Sequence, residues 1–110
     1  MKIVRKPGCY QGVCYETVYL KVKGYMVASC SVYQKDYGVF LRELIVFDED
    51  DYRKGYASKI MDDIISKSQG AIKLQVLKDN LPALSMYKKY GFVEESRSKN
   101  LITMALGTKK

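Results

Sequence analysis

Histidine is absent from all 110 residues. Its absence excludes a Ser/His or Cys/His catalytic pair and removes the side chain that titrates nearest neutrality. Proton transfer must then fall to Glu, Asp, Tyr, Lys, a main-chain group or water. No apolar run is long enough to span a bilayer, and the N-terminus, Met1-Lys2-Ile3-Val4-Arg5-Lys6-Pro7-Gly8, has no apolar signal core. The chain is therefore expected in the cytoplasm, without a membrane partner. Cysteine is sparse: Cys9, Cys14 and Cys30 are odd in number and fit no zinc spacing. They are expected to be buried or surface thiols of a reducing compartment, and no metal site is expected. Linkers, repeats and low-complexity tracts are missing too, and the length suits a single domain over residues 1–110.

Positive charge is plentiful. Nineteen Lys and Arg against twelve Asp and Glu leave a net +7, which favours an anionic ligand, an acidic protein surface or nucleic acid without choosing among them. The ten Tyr residues are expected mostly to pack in a sheet, where aromatics are favoured.

Residues 2 to 5 alternate weakly as a short first strand, and Pro7, Gly8 and Gly12 signal turns. Thr17 to Lys23, Tyr25 to Gln34 and Tyr37 to Phe47 are rich in Val, Tyr and Leu and are divided by short turns, which predicts antiparallel hairpins. In the last of these, Phe40, Arg42, Leu44 and Val46 are expected on one face and Leu41, Glu43, Ile45 and Phe47 on the other. Both faces are mostly apolar, as in a central strand covered on two sides. From Lys54 to Ser68 the apolar positions Tyr56, Ala57, Ile60, Met61, Ile64 and Ile65 form one helical stripe. Ala71 to Leu77 follows as a strand, so strand-helix-strand implies a parallel pair. Asp79 or Asn80 caps a second helix with Pro82 in its first turn and Gly91 at its end. Phe92 to Arg97 and Leu101 to Leu106 form a closing hairpin, and 107–110 a loose tail. The fold class is α+β: an antiparallel meander, then strand-helix-strand-helix, then a C-terminal hairpin, in one mixed sheet.

The stretch Leu44 to Ser58 runs from buried strand through polar loop to a basic, slim helix start, with Arg53, Lys54, Gly55, Tyr56, Ala57 and Ser58. A helix N-terminus leaves its first amides unpaired and carries partial positive charge, so this start can hold a phosphate. An ordinary basic helix start fits the same residues.

Two motifs carry a resemblance to the GNAT superfamily of acetyl-CoA-dependent N-acetyltransferases. Tyr52-Arg53-Lys54-Gly55-Tyr56-Ala57, behind the strand end Leu44-Ile45-Val46, resembles the family's pyrophosphate loop Arg/Gln-x-x-Gly-x-Gly/Ala. Asn80, Ala83, Tyr87, Gly91 and Phe92 match Asn-x-x-Ala-x-x-x-Tyr-x-x-x-Gly-Phe. The chain departs from the pattern at Tyr52, where Arg or Gln is usual, and in the acidic run Asp48-Glu49-Asp50-Asp51, which replaces a loop proline. About ten residues separate its first two strands, where full-length members place two helices that shape the acceptor pocket.

The resemblance implies acetyl-CoA as co-substrate, with the amides from Lys54 to Ser58 and the side chain of Arg53 at its diphosphate. Main-chain groups of Ile45 or Val46 would face the pantetheine or thioester. Asn80 caps its helix or reaches the cofactor. Tyr87 is implied as proton donor to the departing thiolate, although its place on the apolar stripe alone reads as core. Glu43 is the candidate base, with a salt bridge as the alternative and a water chain as a third route. Gln75 stands where some relatives carry a basic Glu. Without pocket helices, the expected acceptor is a macromolecular amine on a protein Lys or N-terminus. The positive charge also admits an RNA-borne amine such as aminoacyl-tRNA, and the departures admit a non-catalytic CoA-binding or basic interaction module. An open sheet edge admits a homodimer.

Overall fold

The computed structural model describes residues 1–48 and 54–107. Seven strands form one sheet: β1 (Lys2–Tyr10), β2 (Val13–Val22), β3 (Tyr25–Lys35), β4 (Gly38–Val46), β5 (Ala71–Leu77), β6 (Val93–Arg97) and β7 (Leu101–Leu106). Helix α1 (Tyr56–Lys67) lies between β4 and β5, and α2 (Leu81–Tyr90) between β5 and β6. The strand order is β1-β2-β3-β4-β5-β7-β6, and the β4–β5 pair alone is parallel. The mixed α+β expectation therefore holds. The residues named for the loop and tail at 49–53 and 108–110, Tyr52 and Arg53 among them, lie outside the described residues.

Local chemistry sets the meander. Gln11 and Gly12 take φ of 51° and 79°, and Lys23 and Gly24 take 54° and 87°. Two consecutive positive-φ residues match the right-handed twist of flanking strands and so fold the chain into tight hairpins. β1 is longer than its weak alternation predicts, because Pro7 and Gly8 sit inside it. As an edge strand, β1 tolerates a residue without an N–H. At Gly8 an added Cβ would press on the Tyr15 ring at 3.0 Å, so the glycine makes room for that ring.

The core occupies one face of the sheet. Val18, Leu20, Ala28, Val32, Leu41 and Leu74 join Ile60, Met61 and Ile64 of α1 and Tyr87 of α2 in a single buried cluster. The helices also hold each other: the Tyr90 hydroxyl lies 2.7 Å from Asp62 Oδ1 and 3.0 Å from the Ser58 carbonyl. At the β1 end, Arg5 pairs with Glu16 at 3.0 Å and with Asp63 of α1.

Three expectations are corrected. Register runs Ser31 with Arg42 but Ser29 with Ile45, so β4 carries one extra residue, a bulge at Glu43, whose φ is 57°. The extra residue reverses the parity: Leu41 and Val46, expected on opposite faces, both lie on the core side, opposite Val32 and Ala28. Nor is β4 covered on two sides. No side chain on the far face is buried: Tyr15, Tyr19, Tyr33, Phe40 and Lys73 are partly exposed and Arg42 is exposed. Finally, Cys9 and Cys14, expected as separate thiols, form a disulfide, because the hairpin sets them directly opposite with Cα atoms 4.1 Å apart. Cys30 is free and buried.

Candidate active site

β4 and β5 pair only from Gly38/Ala71 to Leu41/Leu74 and then separate. Two glycines fix the closed end, where Ala71 N–H donates to the Tyr37 carbonyl at 2.7 Å. A Cβ on Gly38 would overlap the Ala71 oxygen, and one on Gly70 the Tyr37 oxygen. Beyond this end the bulge at Glu43 turns β4 away and opens a cleft of about 760 Å³, lined by Glu43, Ile45, Val46, Asn80 and Tyr87 among others. Through Pro82 and Met86 the cleft continues into a depression of about 550 Å³ bordered by Gly55 and Ser58. A separate hollow of about 480 Å³ lies at the other end of α1, by Arg5 and Lys67, and none of the sequence-derived site residues lines it.

At the outer end of this trough stands the N-terminus of α1. Gly55 takes φ 80° as its cap residue, no side chain caps the helix, and no acidic residue occupies its first turn. Lys59 is the first residue whose N–H reaches a helical carbonyl, that of Gly55 at 3.1 Å. The amides of Tyr56, Ala57 and Ser58 therefore lack intrahelical partners. An added Cβ at Gly55 would meet no described residue within 4 Å. The Tyr56 side chain turns into the core, the Ser58 hydroxyl faces Met86 Sδ at 3.9 Å, and Lys54 is exposed beside Gly55.

Along the trough, Phe47 N–H donates to the Val27 carbonyl at 3.0 Å. Main-chain groups alternate in direction along a strand, so those of Ile45 point to β3 and those of Val46 point into the gap. Of the two residues named for this position, Val46 is the one whose backbone faces the cleft. Asn80 caps α2, its Oδ1 accepting from Ala83 N–H at 3.3 Å, and it also borders the cleft. Glu43 is exposed at the lip, in a conformation costly for a non-glycine residue, and no ion pair holds it among the described residues. Gln75 lines the same cleft and reaches Thr103 Oγ1 at 3.4 Å.

At the inner end is Tyr87. Its ring packs on Phe92 with centroids 5.6 Å apart, and only 7 % of the residue is exposed. Its hydroxyl hydrogen-bonds to no described residue, yet no buried side-chain oxygen is left both unpaired and sealed off. The hydroxyl therefore has access to the cleft, which Tyr87 lines. Burial pushes its pKa up to about 12, and nearby Cys30 adds to the effect.

Cys30 is the neighbour the sequence did not single out for the site. Its thiol lies 3.7 Å from the carbonyl oxygens of Ser31 and Arg42, the latter beside the bulge. Burial raises its pKa to about 12 as well, against the lowering effect of the Arg42 contact. The alternation Ala28, Cys30, Val32 was the available signal, since it places Cys30 on the core face.

Residues 13–94 match the family described as acetyltransferase (GNAT) domain. Among curated proteins none matches this sequence. Solved structures agree on the fold. The ribosomal-protein-S18-alanine N-acetyltransferase from Escherichia coli is 22% identical with a TM-score of 0.73, over 84% of this chain and 68% of that one. Naa50 from Arabidopsis thaliana, in complex with the bisubstrate analogue CoA-Ac-MVNAL, is 22% identical with a TM-score of 0.68, over 84% and 72%. A GNAT family acetyltransferase from Elizabethkingia anophelis with acetyl-CoA bound is 12% identical with a TM-score of 0.77, over 96% and 98%. With three quarters of its length matched and the same architecture throughout, the chain belongs to the GNAT family of acetyltransferases.

Proposed function

We propose that this acyltransferase moves an acetyl group from acetyl-CoA to a primary amine on a protein, a Lys side chain or an N-terminus. The observation that carries the reading is the parting of β4 from β5, which gathers the uncapped α1 amides, the Val46 main chain and the Tyr87 hydroxyl along one trough. The residues fit the co-substrate. Three amides that no described side chain caps suit a diphosphate, and among the described residues nothing crowds Gly55. The inward-facing main chain of Val46 suits an amide-bearing pantetheine arm.

Acetyl-CoA supplies an acyl group already activated as a thioester. The chain's own residues do the rest. A main-chain N–H in the gap donates to the carbonyl oxygen as it gains charge. Tyr87 keeps its proton at neutral pH and aims it into the cleft. A thiolate in water has a conjugate acid near 8.5, about 3.5 units below Tyr87, which makes full transfer from Tyr87 uphill. Water excluded by the bound co-substrate would raise the basicity of the departing thiolate and narrow that gap. The acceptor amine, if a Lys with a pKa near 10.4, must lose its proton first. Glu43, unpaired at the lip, or water takes it.

A protein acceptor is favoured because β1 passes directly into β2 through a tight hairpin, so no helix stands between them to enclose a small amine. Two relatives support it by name, one for a ribosomal-protein alanine and one for its complex with a peptide-bearing analogue. We place this activity in the cytoplasm, where the Cys9–Cys14 pair would be open to reduction.

Mass spectrometry of peptides and cell proteins incubated with acetyl-CoA tests the reading, together with thermal unfolding at rising acetyl-CoA. Acetylated lysines or N-termini with a raised melting temperature are expected. Stabilisation without any acetylated product would leave a binder only, and neither effect would end the assignment.

A further inference from the structure

The sheet face opposite the helices is the largest part of the molecule that the transferase reading leaves unused. Register places Tyr15, Tyr19, Tyr33 and Phe40 together on it, on three adjacent strands. Two of these rings are in mutual contact, a third lies near a cation, and Tyr37 in the adjoining turn lies near another. Tyr15 and Tyr33 stand 5.2 Å apart at 30°, Lys6 lies 5.8 Å over Tyr19, and Lys73 lies 4.7 Å over Tyr37. Gly8 gives up its side chain so that the Tyr15 ring can lie across β1. From strand spacing, the four rings cover about 10 Å across the sheet and about 13 Å along it, room for two or three splayed bases.

Charge on this face is of one sign. Lys2, Lys6, Lys21, Lys35, Arg42 and Lys73 share it, by the same registers. The carboxylate of Glu95 reaches it from the β6 edge and is taken up by Lys73 at 3.0 Å, while Asp36 and Glu43 stand at its rim in a turn and a bulge. None of Lys2, Lys6, Lys21, Lys35 and Arg42 has an ion-pair partner among the described residues. Lys2 and Lys21 are direct cross-strand partners, a like-charge pairing that costs stability until an anion relieves it.

We propose that this face binds single-stranded nucleic acid, its bases stacking on Tyr15, Tyr19, Tyr33 and Phe40 and its phosphates held by the surrounding lysines and Arg42. Rings interleaved with unpaired cations are what an unpaired strand needs, because every base has a π-face and every linkage a charge. A second copy of the chain fits poorly: a two-fold contact through this face would set five unpaired cations against five. An acidic peptide would use the cations but leave the row of rings without a task. The inference stands apart from the transferase reading, since none of Tyr15, Tyr19, Tyr33 and Phe40 borders the trough.

The test is fluorescence anisotropy with labelled oligo-U and oligo-dT of about twelve nucleotides, between 50 and 200 mM salt. Binding is expected to both, with a log–log salt slope near −3.5 for about five phosphate contacts, a loss of roughly a hundredfold across that range. A duplex of the same length should bind at least about tenfold more weakly. Tyr19→Thr with Tyr33→Thr should weaken binding about five- to a hundredfold per ring at unchanged slope. Lys6→Gln with Lys21→Gln, both surface changes that keep the fold, should reduce the slope by about 1.4. Absence of binding at 50 mM salt, equal affinity for duplex, or folded variants that bind like the parent would overturn the proposal. So would displacement by poly-glutamate at matched charge, or a concentration-dependent dimer that the tyrosine changes dissolve.

Discussion

Replacing Tyr87 with Phe removes one oxygen from a place where its effect can be calculated. The hydroxyl hydrogen-bonds to no described residue, so its loss orphans no partner, and the ring still packs on Phe92 at 5.6 Å. The fold should change in stability by no more than about 0.5 kcal/mol. Raising the pKa from 10 to about 12 means that ionising this phenol in its site costs roughly 2.7 kcal/mol more than in water. The phenol is thus held protonated well above neutral pH. A positioned proton donor contributes about 10²- to 10⁴-fold to rate, which is about 3 to 5 kcal/mol of barrier. Thiol release followed with a chromogenic disulfide should show kcat reduced by at least about a hundredfold. Calorimetry should show acetyl-CoA affinity within about twofold of the parent, because the lost interaction belongs to the transition state. The parent's kcat/KM should climb with pH as the amine deprotonates and should not decline below about pH 10, since Tyr87 ionises later. A Phe variant with kcat within about threefold of the parent, or an alkaline decline near pH 9 that the variant lacks, would refute the assignment.

Other outcomes follow from the same geometry. Gly55→Ala puts a side chain at φ 80° and should cost about 1–2 kcal/mol in thermal unfolding. Its calorimetric affinity for acetyl-CoA should fall about tenfold, and parental affinity would remove the α1 amides from the site. Cys30 and Tyr87 are both held neutral by burial, so their contribution is intact below pH 9 and is lost as pH rises toward 12, where the unfolded chain ionises first. Urea unfolding should show about 2–3 kcal/mol less stability at pH 10.5 than at pH 8, and Cys30→Ala should abolish roughly 2 of it; an unchanged pH dependence would contradict the buried thiol. Reducing Cys9–Cys14 opens a short loop worth about 2 kcal/mol, so dithiothreitol should lower the melting temperature by several degrees and leave kcat unchanged. A melting temperature indifferent to reductant would mean the bridge is not formed in solution.

Much of this arrangement was legible because local signals and packing agree. The Tyr56-to-Ile65 stripe, the strands at Ala71–Leu77 and Leu101–Leu106, and the Asn80 cap with Pro82 and Gly91 each combine a periodic apolar face with a fitting stop or start. What escaped depends on partners. Pro7 and Gly8 read as a turn because nothing local says that β1 will be an edge strand or that Tyr15 will need the space above Gly8. The bulge at Glu43 is one residue of slippage against β3, and strict alternation cannot register it. Both apolar faces of β4 suggested double cover, yet Phe40 serves a tiled aromatic surface rather than a second core. For the candidate site, it was the resemblance to the family's two motifs that named Tyr87, Gly55 and Asn80, whereas Cys30 becomes relevant only when β3 is laid beside the bulge. The choice of Val46 over Ile45 likewise required the bond from Phe47 to Val27.

The interlocked glycines at the start of β4 and β5 act as the pin of a pair of tongs. Neither strand is braced against the other past Leu41 and Leu74, so the angle at which the jaws stand is decided where Gly38 and Gly70 let two backbones touch. A methyl group added at that pin would spread the jaws without altering a single residue that lines the cleft. On the proposed reading, the width left for an acyl chain would then be set from the far end of the molecule.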